Sequence, residues 1–324
     1  MSLKKFGIFA IKLLVTAAIF WLLFSVVDIR AVVTHLSDVS VVVLVYAAFS
    51  YVLATYLATI RWSLLLSAQD ISIPLSHLFT YNLSYSFYSV VLPGGKLAAE
   101  AVRIYQIVRD TGNQASREKI IMAALTDREV AVFSFVLVAA AFFLNSQEIL
   151  AAGFPWWASY AAILAVCLLG ALAFLPLELL IRPFGRILPP GIHSLATSLS
   201  RAFSVYRSRL DLLGGALILS LIMNAVIASG FYAIALSLGL TVSFFLIFAV
   251  FSVGMVAAMM PLTVAGIGVR EGAFAYLLAA VSGASLESGL SVSLLALGAS
   301  LAVATIGGFV ELNRHFLRDG TFVR

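Results

Sequence analysis

Long apolar runs separated by short polar segments are the dominant pattern of this 324-residue sequence. A run of about 18 or more apolar residues forms a helix long enough to cross the roughly 30 Å hydrocarbon core of a bilayer. The pattern predicts full spans at about 6–27, 41–66, 119–144, 157–181, 212–238 and 287–311. The first run is too long for a signal peptide and no small-residue cleavage site follows it, so we expect it to be retained.

Two further apolar stretches are interrupted by residues that break helices. The breakers follow the stretches 76–92 and 244–260, and they are Pro93, Gly94, Gly95, Pro261, Gly266 and Gly268. Proline removes a helical hydrogen bond, and glycine adopts backbone conformations that other residues avoid. These positions are therefore the predicted tips of two helical hairpins.

Lysine and arginine are concentrated in one set of loops. The loops 103–119 and 182–211 and both chain ends are rich in them, whereas the segments on the opposite side contain only Arg30. Those opposite segments are 28–40, 145–156, 239–243 and 282–286. Because cytoplasmic loops carry the excess of positive charge, both termini are predicted to be cytoplasmic.

With this orientation, each interrupted stretch begins and ends on one side of the membrane. Segments 76–110 and 244–281 are predicted to be re-entrant hairpins entering from opposite faces, and two short, proline-kinked full spans are the alternative. The order span, span, hairpin, span occurs in both 1–150 and 157–324, in opposite orientation. Inverted repeats of this kind are typical of secondary transporters with a midplane substrate site. The predicted fold is one all-α transmembrane domain, 1–324, with about six spans and two hairpins.

Composition places the chain in a membrane. Aliphatic and aromatic residues make up 62% of it and charged residues 11%, against about 25% charged residues in a soluble domain. The net charge of +5 resides in the loops that set orientation, so nucleic acid is not an expected partner. Cys167 is the single cysteine and the four histidines are scattered, so we expect neither a disulfide nor a metal site, and no cofactor motif is present. A multi-pass protein of a prokaryotic cytoplasmic membrane is predicted.

The longest polar segment, 182–211, has apolar residues at helical spacing with arginines between them. This pattern predicts a basic amphipathic helix, lying either on the inner membrane surface or against the ends of the bundle. The segment is too short to form a separate catalytic domain.

Charged residues within the predicted membrane segments are the candidates for function, because ionisable groups in hydrocarbon are costly. In the returning arm of the first hairpin, Lys96, Glu100 and Arg103 share one helical face. The arm begins directly after the glycines, so its N-terminus would offer free N–H groups and partial positive charge to a phosphate. Internal pairing of these three residues, which would only neutralise the hairpin, is the alternative.

Asp127, Arg128 and Glu129 are three adjacent charges in the third predicted span. If the helix enters the core near Lys119, Arg128 lies ~14 Å inside at about 1.5 Å per residue. The three side chains point about 100° apart, so they require partners on other elements. Arg128 is suited to bidentate phosphate binding, and a structural salt bridge between helices is the alternative.

Arg270 and Glu271 begin the returning arm of the second hairpin, and a flexible break followed by a charged helix start favours a functional tip. The predicted ligands of an anionic head group are Lys96, Arg103, Arg128 and Arg270. Their predicted charge partners, which hold the arginines or respond to protons, are Glu100, Asp127, Glu129 and Glu271.

These segments resemble the flippase-like transmembrane domain of lysylphosphatidylglycerol synthases and the stand-alone membrane proteins related to it. The resemblance rests on Leu92-Pro93-Gly94-Gly95, on Glu100-Ala-Val-Arg103, on Asp127-Arg128 and on Pro261 through Gly272. It covers most of the chain. The sequence departs from the family pattern at Asp127, where members often have glutamate, and at Ala265, where the pattern has glycine.

The resemblance implies that an anionic or aminoacylated lipid moves across the membrane. In larger relatives a soluble C-terminal domain performs aminoacyl transfer, and this chain ends at Arg324, so we do not expect it to be an enzyme. The expected function is a flippase or transporter of an anionic or aminoacylated phospholipid or a polyprenyl-phosphate-linked lipid. An integral membrane enzyme acting on a lipid phosphate and a scaffold for a lipid-modifying partner are the alternatives.

Overall fold

The computed structural model describes residues 27–92, 94–111, 117–145, 208–258 and 266–319, together with positions 14, 21, 25, 205, 206 and 263. Within these ranges the chain is helical and contains no strand. The helices are α1 (Ile29–Asp38), α2 (Val41–Ser67), α3 (Leu75–Val91), α4 (Lys96–Thr111), α5 (Arg117–Asn145), α6 (Leu210–Ser237), α7 (Phe244–Ala257), α8 (Val269–Ser282) and α9 (Leu286–Asp319).

Several predicted features lie outside the described residues. They are the span 157–181, nearly all of the first span, most of the segment 182–211, and the two hairpin-tip prolines, Pro93 and Pro261. The proposed equivalence of the halves 1–150 and 157–324 therefore rests on α2 to α5 and α6 to α9.

Three described helices, α2, α6 and α9, are long and apolar enough to cross a bilayer. Most of the apolar surface of α2 and α6 faces outwards, as expected for helices that lipid surrounds. The 29 residues of α5 are equally long, but this helix includes the three adjacent charges Asp127, Arg128 and Glu129. Its length is that of a span, and its charges require partners inside the bundle.

The helical segments agree with the hydropathy pattern. The predicted spans 41–66, 119–144, 212–238 and 287–311 are the single helices α2, α5, α6 and α9. Each interrupted stretch is a pair of helices, α3 with α4 and α7 with α8. In both pairs the glycines lie between the end of the first helix and the start of the second.

The segment 28–40, which we expected to be a plain loop, contains the short helix α1. Asp28 caps this helix by accepting a hydrogen bond from the Arg30 backbone N–H at 2.8 Å. Val32 is buried against Ala275 and Leu290. The scarcity of basic residues indicates on which side a segment lies but does not report its conformation, so the helix was missed.

Glycine is required at both breaks. Gly94 and Gly95 have φ angles of 115° and 56°, and Gly266 and Gly268 have φ angles of 79° and 90°, all in the left-handed region. A Cβ atom on Gly266 would also lie 2.7 Å from the Ala258 carbonyl oxygen. The breaks therefore follow directly from the glycine positions.

Small residues allow the helices to approach closely, as is usual where lipid gives no hydrophobic force between helices. A Cβ atom on Gly230 of α6 would lie 2.6 Å from Ser50 Oγ on α2. Gly307 and Gly308 of α9 lie close to α3. A Cβ atom on Gly307 would overlap the Leu83 carbonyl oxygen. These contacts fix α3 against α9 and α2 against α6.

Phenylalanine side chains join α5, α6, α7 and α8. Phe231 of α6 stacks on Phe251 of α7 and on Phe274 of α8, with ring centroids 5.1 Å apart in both pairs. Phe135 of α5 meets Phe251 edge to face. Such pairs add about 0.5–1.5 kcal/mol each beyond simple burial. The contacts between α2, α3, α4 and α5 are of a different kind, because charged groups lie among them.

Candidate functional site

Asp127 of α5 lies between two arginines from other helices. Its Oδ1 accepts a hydrogen bond from Arg61 Nε on α2 at 2.7 Å, and its Oδ2 lies 3.3 Å from Arg103 Nη2 on α4. Ser220 of α6 accepts a further bond from Arg61 Nη1 at 2.7 Å. One carboxylate thus connects α2, α4 and α5, and the prediction that Asp127 needs partners on other elements is confirmed.

Arg103 is saturated with partners. Its Nη2 lies 2.6 Å from Glu100 Oε1, and its Nη1 donates to Asn82 Oδ1 of α3 at 2.8 Å. Its guanidinium also lies over the Trp62 ring, 4.2 Å from the ring centroid. With Asp127 as the remaining partner, Arg103 is 5% exposed. These contacts give it a structural role in positioning α4, and its predicted direct binding of phosphate remains a prediction.

Arg61, Asn82 and Ser220 belong to this network and were not among the candidates. Arg61 was not singled out from the sequence, because basic residues are common at the inner ends of spans. In the structure α2 continues to Ser67 and Arg61 is 5% exposed. Six residues, or about 9 Å of helix, separate Arg61 from the end of α2. An arginine this far inside an apolar run is the feature of the sequence that would have identified Arg61 as a candidate.

Arg128 and Lys96 retain binding capacity. Arg128 Nη2 reaches Glu100 Oε2 only at 3.9 Å and the Lys96 carbonyl oxygen at 3.5 Å, and its side chain is 38% exposed. Lys96 is half-buried at the start of α4 and forms no salt bridge with any residue that the structure describes. Within the first hairpin, Glu100 and Arg103 therefore form an ion pair, and Lys96 takes no part in it.

Glu271 braces Arg270 at the start of α8. Arg270 Nη2 lies 2.6 Å from Glu271 Oε1, and Glu271 Oε2 accepts the Gly268 backbone N–H at 2.7 Å. Glu271 is fully buried, and the Tyr51 hydroxyl of α2 lies beside Arg270. The carboxylate thus caps α8 and fixes the arginine at the hairpin tip.

The starts of α4 and α8 lie within electrostatic range of each other. Lys96, at the start of α4, lies within electrostatic range of Arg270 and Glu271 at the start of α8, and of Arg128 on α5. The N-termini of α4 and α8 each bring partial positive charge to this place. Of the predicted site residues, Glu129 stays apart, since it is half-buried and has no cationic partner among the described residues.

The whole group, which we call the tip cluster, carries surplus positive charge. Its members are Arg61, Lys96, Glu100, Arg103, Asp127, Arg128, Arg270 and Glu271. Five cationic side chains against three carboxylates leave two uncompensated positive charges. The residues that the structure describes contain no group of His, Cys, Asp and Glu arranged to hold a metal ion. The chemistry that this arrangement supports is therefore binding of an anion.

A second polar group joins α4 to α9 and was also missed. Glu311 accepts a hydrogen bond from Ser84 Oγ at 2.7 Å and lies 3.3 Å from Gln106 Nε2. Arg314 lies 3.4 Å from Asp110, which also accepts a hydrogen bond from the Tyr81 hydroxyl. Glu311 therefore takes part in helix–helix contacts with α3 and α4.

Comparison with known proteins agrees with this architecture. The model of the family described as the lysylphosphatidylglycerol synthase TM region matches residues 9–308, nearly the whole chain. A search among curated proteins finds no significant match. The chain is thus a multi-pass membrane protein that belongs to the family of the lysylphosphatidylglycerol synthase transmembrane region.

Proposed function

We propose that this protein is a lipid flippase that binds a phosphate-bearing head group at the tip cluster and moves the lipid across the membrane. The observation that carries the proposal is the surplus of two positive charges among the described residues of the tip cluster. Cations in the low-dielectric interior of a membrane protein require a counter-charge. Membership of the family of the lysylphosphatidylglycerol synthase transmembrane region supports a lipid ligand, and a membrane lipid phosphate is an available counter-ion.

The contacts divide the cluster into two parts. Arg61, Asp127 and Arg103 form the frame, because each of them is buried and fully engaged. Lys96 and Arg128 would bind the phosphate directly. Lys96 forms no salt bridge with a residue that the structure describes, and Arg128 is held only by long contacts. Arg270, braced by Glu271, would contribute from the opposite hairpin.

Paired packing supports the proposed inverted repeat. The repeat equates α2, α3, α4 and α5 with α6, α7, α8 and α9. If the two sets of helices are equivalent, the contact of α3 with α9 corresponds to a contact of α7 with α5. The structure contains both contacts. The contacts of α3 with α4 and of α7 with α8 are likewise equivalent, and α2 packs on its own counterpart α6. We propose on this basis that both pairs are re-entrant hairpins. From the arginine-rich loops we further propose that the termini are cytoplasmic in a prokaryotic inner membrane.

The proposal excludes catalysis by this domain. A reaction at a lipid phosphate would need an acid or base within reach of the substrate. The three carboxylates of the tip cluster are each engaged by a cation or a backbone N–H. They are suited to holding arginines, and a lipid-modifying enzyme would act as a separate partner.

Conservative replacement of the two arginines tests the proposed function. In sealed vesicles containing the purified chain and a fluorescent phosphatidylglycerol, translocation is followed by the accessibility of the label to an impermeant quencher. Arg128→Lys and Arg270→Lys keep the charge but lose the bidentate fork. A charge-assisted hydrogen bond is worth about 1.5–3 kcal/mol, so we expect a loss of roughly 10- to 100-fold in lipid affinity or translocation.

The matched control is Arg209→Lys, because Arg209 pairs with Asp211 at 3.5 Å and its side chain is 52% exposed. All three variants should show wild-type thermal stability, and the control should transport normally. Normal transport by the Arg128→Lys, Arg270→Lys double variant would contradict the assigned role. Turnover of the lipid by the wild-type protein would favour the enzyme instead.

A further inference from the structure

We infer, on the basis of the proposed function, that one face of α2 is the surface along which the phosphate head group passes between the two hairpins. This face, which we call the hydroxyl face, carries Tyr51, Thr55 and Thr59. The ligand is the same anionic phosphate lipid. The inference adds the residues that its head group meets between the arginines of one hairpin and those of the other.

The hydroxyl face points into the bundle. Tyr51, Thr55 and Thr59 follow one another at intervals of four residues, so their side chains lie within about 80° of one another around the helix. The exposed residues Tyr46 and Phe49 lie about 180° and about 120° away from Thr55. Tyr51 and Thr55 are half-buried and Thr59 is fully buried. Lipid therefore covers the opposite side of α2.

Each end of the hydroxyl face lies close to an arginine of the tip cluster. At one end the Tyr51 hydroxyl lies beside Arg270 of the second hairpin. At the other end Thr59 Oγ1 accepts from Asn82 Nδ2 at 2.9 Å, and Asn82 Oδ1 accepts from Arg103 Nη1 at 2.8 Å. The eight residues from Tyr51 to Thr59 correspond to about 12 Å of helix. The face thus connects the second hairpin with the first.

Thr55 lies between these ends, one residue from the midpoint of α2. Its hydroxyl donates to the Tyr51 carbonyl oxygen at 2.8 Å. Within the helix the same oxygen is also the acceptor for the Thr55 backbone N–H. Because a hydroxyl group rotates, Thr55 can donate to a phosphate instead and leave that carbonyl paired. Thr55 therefore offers a hydrogen-bond donor near the middle of the membrane.

Hydroxyl groups suit this position for a physical reason. A phosphate that leaves one arginine for the next crosses an interior in which an unpaired anion is costly. A neutral hydroxyl lowers that cost by hydrogen bonding, and it holds the anion less tightly than a guanidinium does. Passage requires sites that an ion enters readily and also leaves, as in channels. Hydroxyls placed between cations meet both requirements, whereas apolar side chains would offer the phosphate no hydrogen bond.

Thr55 provides the test, because two substitutions separate its hydroxyl from its methyl group. Thr55→Val keeps the branched shape and loses the hydroxyl, whereas Thr55→Ser keeps the hydroxyl and loses the methyl group. Each full-length variant is assayed for translocation of fluorescent phosphatidylglycerol in sealed vesicles and for binding of the same lipid in detergent. We expect Thr55→Val to translocate at least about ten-fold more slowly, with unchanged binding and thermal stability. Thr55→Ser should translocate normally.

The matched control is Thr305→Val on α9. The Thr305 hydroxyl likewise donates to the carbonyl oxygen four residues earlier, at 2.9 Å, but this residue is exposed. Its variant should bind and translocate the lipid as the wild type does. Tyr51→Phe keeps the aromatic ring and loses the hydroxyl, so it should also slow translocation. If Thr55→Val does not fold, Tyr51→Phe decides the question.

The outcomes separate this inference from the proposed function. Wild-type rates in both Thr55→Val and Tyr51→Phe would overturn the inference, and so would equal slowing by Thr55→Val and Thr55→Ser, which would indicate packing. A loss of binding as large as the loss of translocation would place Thr55 in the binding site instead of between sites. In these cases the wild type still binds the lipid and the proposed function stands. Absence of both binding and translocation in the wild type would overturn the proposed function as well.

Discussion

Replacing Asp127 with asparagine removes the negative charge that two buried arginines share. Arg61 would keep its bond to Ser220 and would face a neutral amide oxygen in place of the carboxylate, and Arg103 would keep Glu100 and Asn82. The substitution hardly changes the volume of the side chain, so its effect reports charge rather than packing. We expect the variant to fold less stably, because Arg61 becomes a buried cation without a counter-ion.

The magnitude follows from the geometry of the shared carboxylate. Breaking a buried ion pair by removing one partner costs about 3–5 kcal/mol. Two guanidiniums on either side of one carboxylate repel by less than about 4 kcal/mol at an effective dielectric constant of about 20. Removing the unpaired cation as well, in the double variant Asp127→Asn with Arg61→Met, should recover part of this loss. We expect a coupling free energy of about 2 kcal/mol between the two positions.

The assay is a double-mutant cycle of unfolding in mixed micelles, followed by tryptophan fluorescence and titrated with a denaturing detergent. Four proteins are compared, namely the wild type, Asp127→Asn, Arg61→Met and the double variant. The control is Asp211→Asn, since Asp211 forms an exposed pair with Arg209 and should contribute less than about 1 kcal/mol. If the two single effects simply add in the double variant, the proposed coupling through the buried carboxylate is wrong.

Three further predictions concern topology, packing and symmetry. In a cysteine-free background, cysteines at Gln147 and Ser285 should react with impermeant reagent from outside and a cysteine at Ser200 should not; labelling of Ser200 alone would reverse the orientation. Gly307→Ala should abolish folding, measured as monodisperse protein after detergent extraction, because its Cβ would overlap the α3 backbone, whereas Gly298→Ala has open space and should fold normally. In a structure with bound lipid, α2–α5 should superpose on α6–α9 by rotation about an axis in the membrane plane, and a hairpin that crosses the membrane completely would contradict this.

Hydropathy and breakers predicted the helices because both are local properties of the chain. The apolar runs became α2, α5, α6 and α9, and the glycines ended the helices where they occur. The charges at 127–129 could be recognised as unusual from sequence alone, since three adjacent charges in an apolar run have no local explanation.

The partners of those charges could not be predicted. Arg61 and Asp127 are 66 residues apart in sequence, and Ser220 is further still from Arg61, so only the packed bundle brings them together. Arg61 also resembled an ordinary boundary arginine of the kind that the positive-inside rule explains. The distinction between Arg103, which is saturated, and Arg128, which is not, depends on distances of 2.6 and 3.9 Å to the same glutamate.

Helix α4 is attached to the rest of the protein at both of its ends. Near its start Glu100 belongs to the tip cluster, and near its end Asp110 contacts Arg314 of α9. Ten residues, or about 15 Å of rigid helix, separate the two attachments. A displacement of α4 along its axis as a rigid body would move both attachments together. A spectroscopic label placed beside Arg314 would then report whether the distant hairpin tips are empty or occupied, without itself disturbing the ligand.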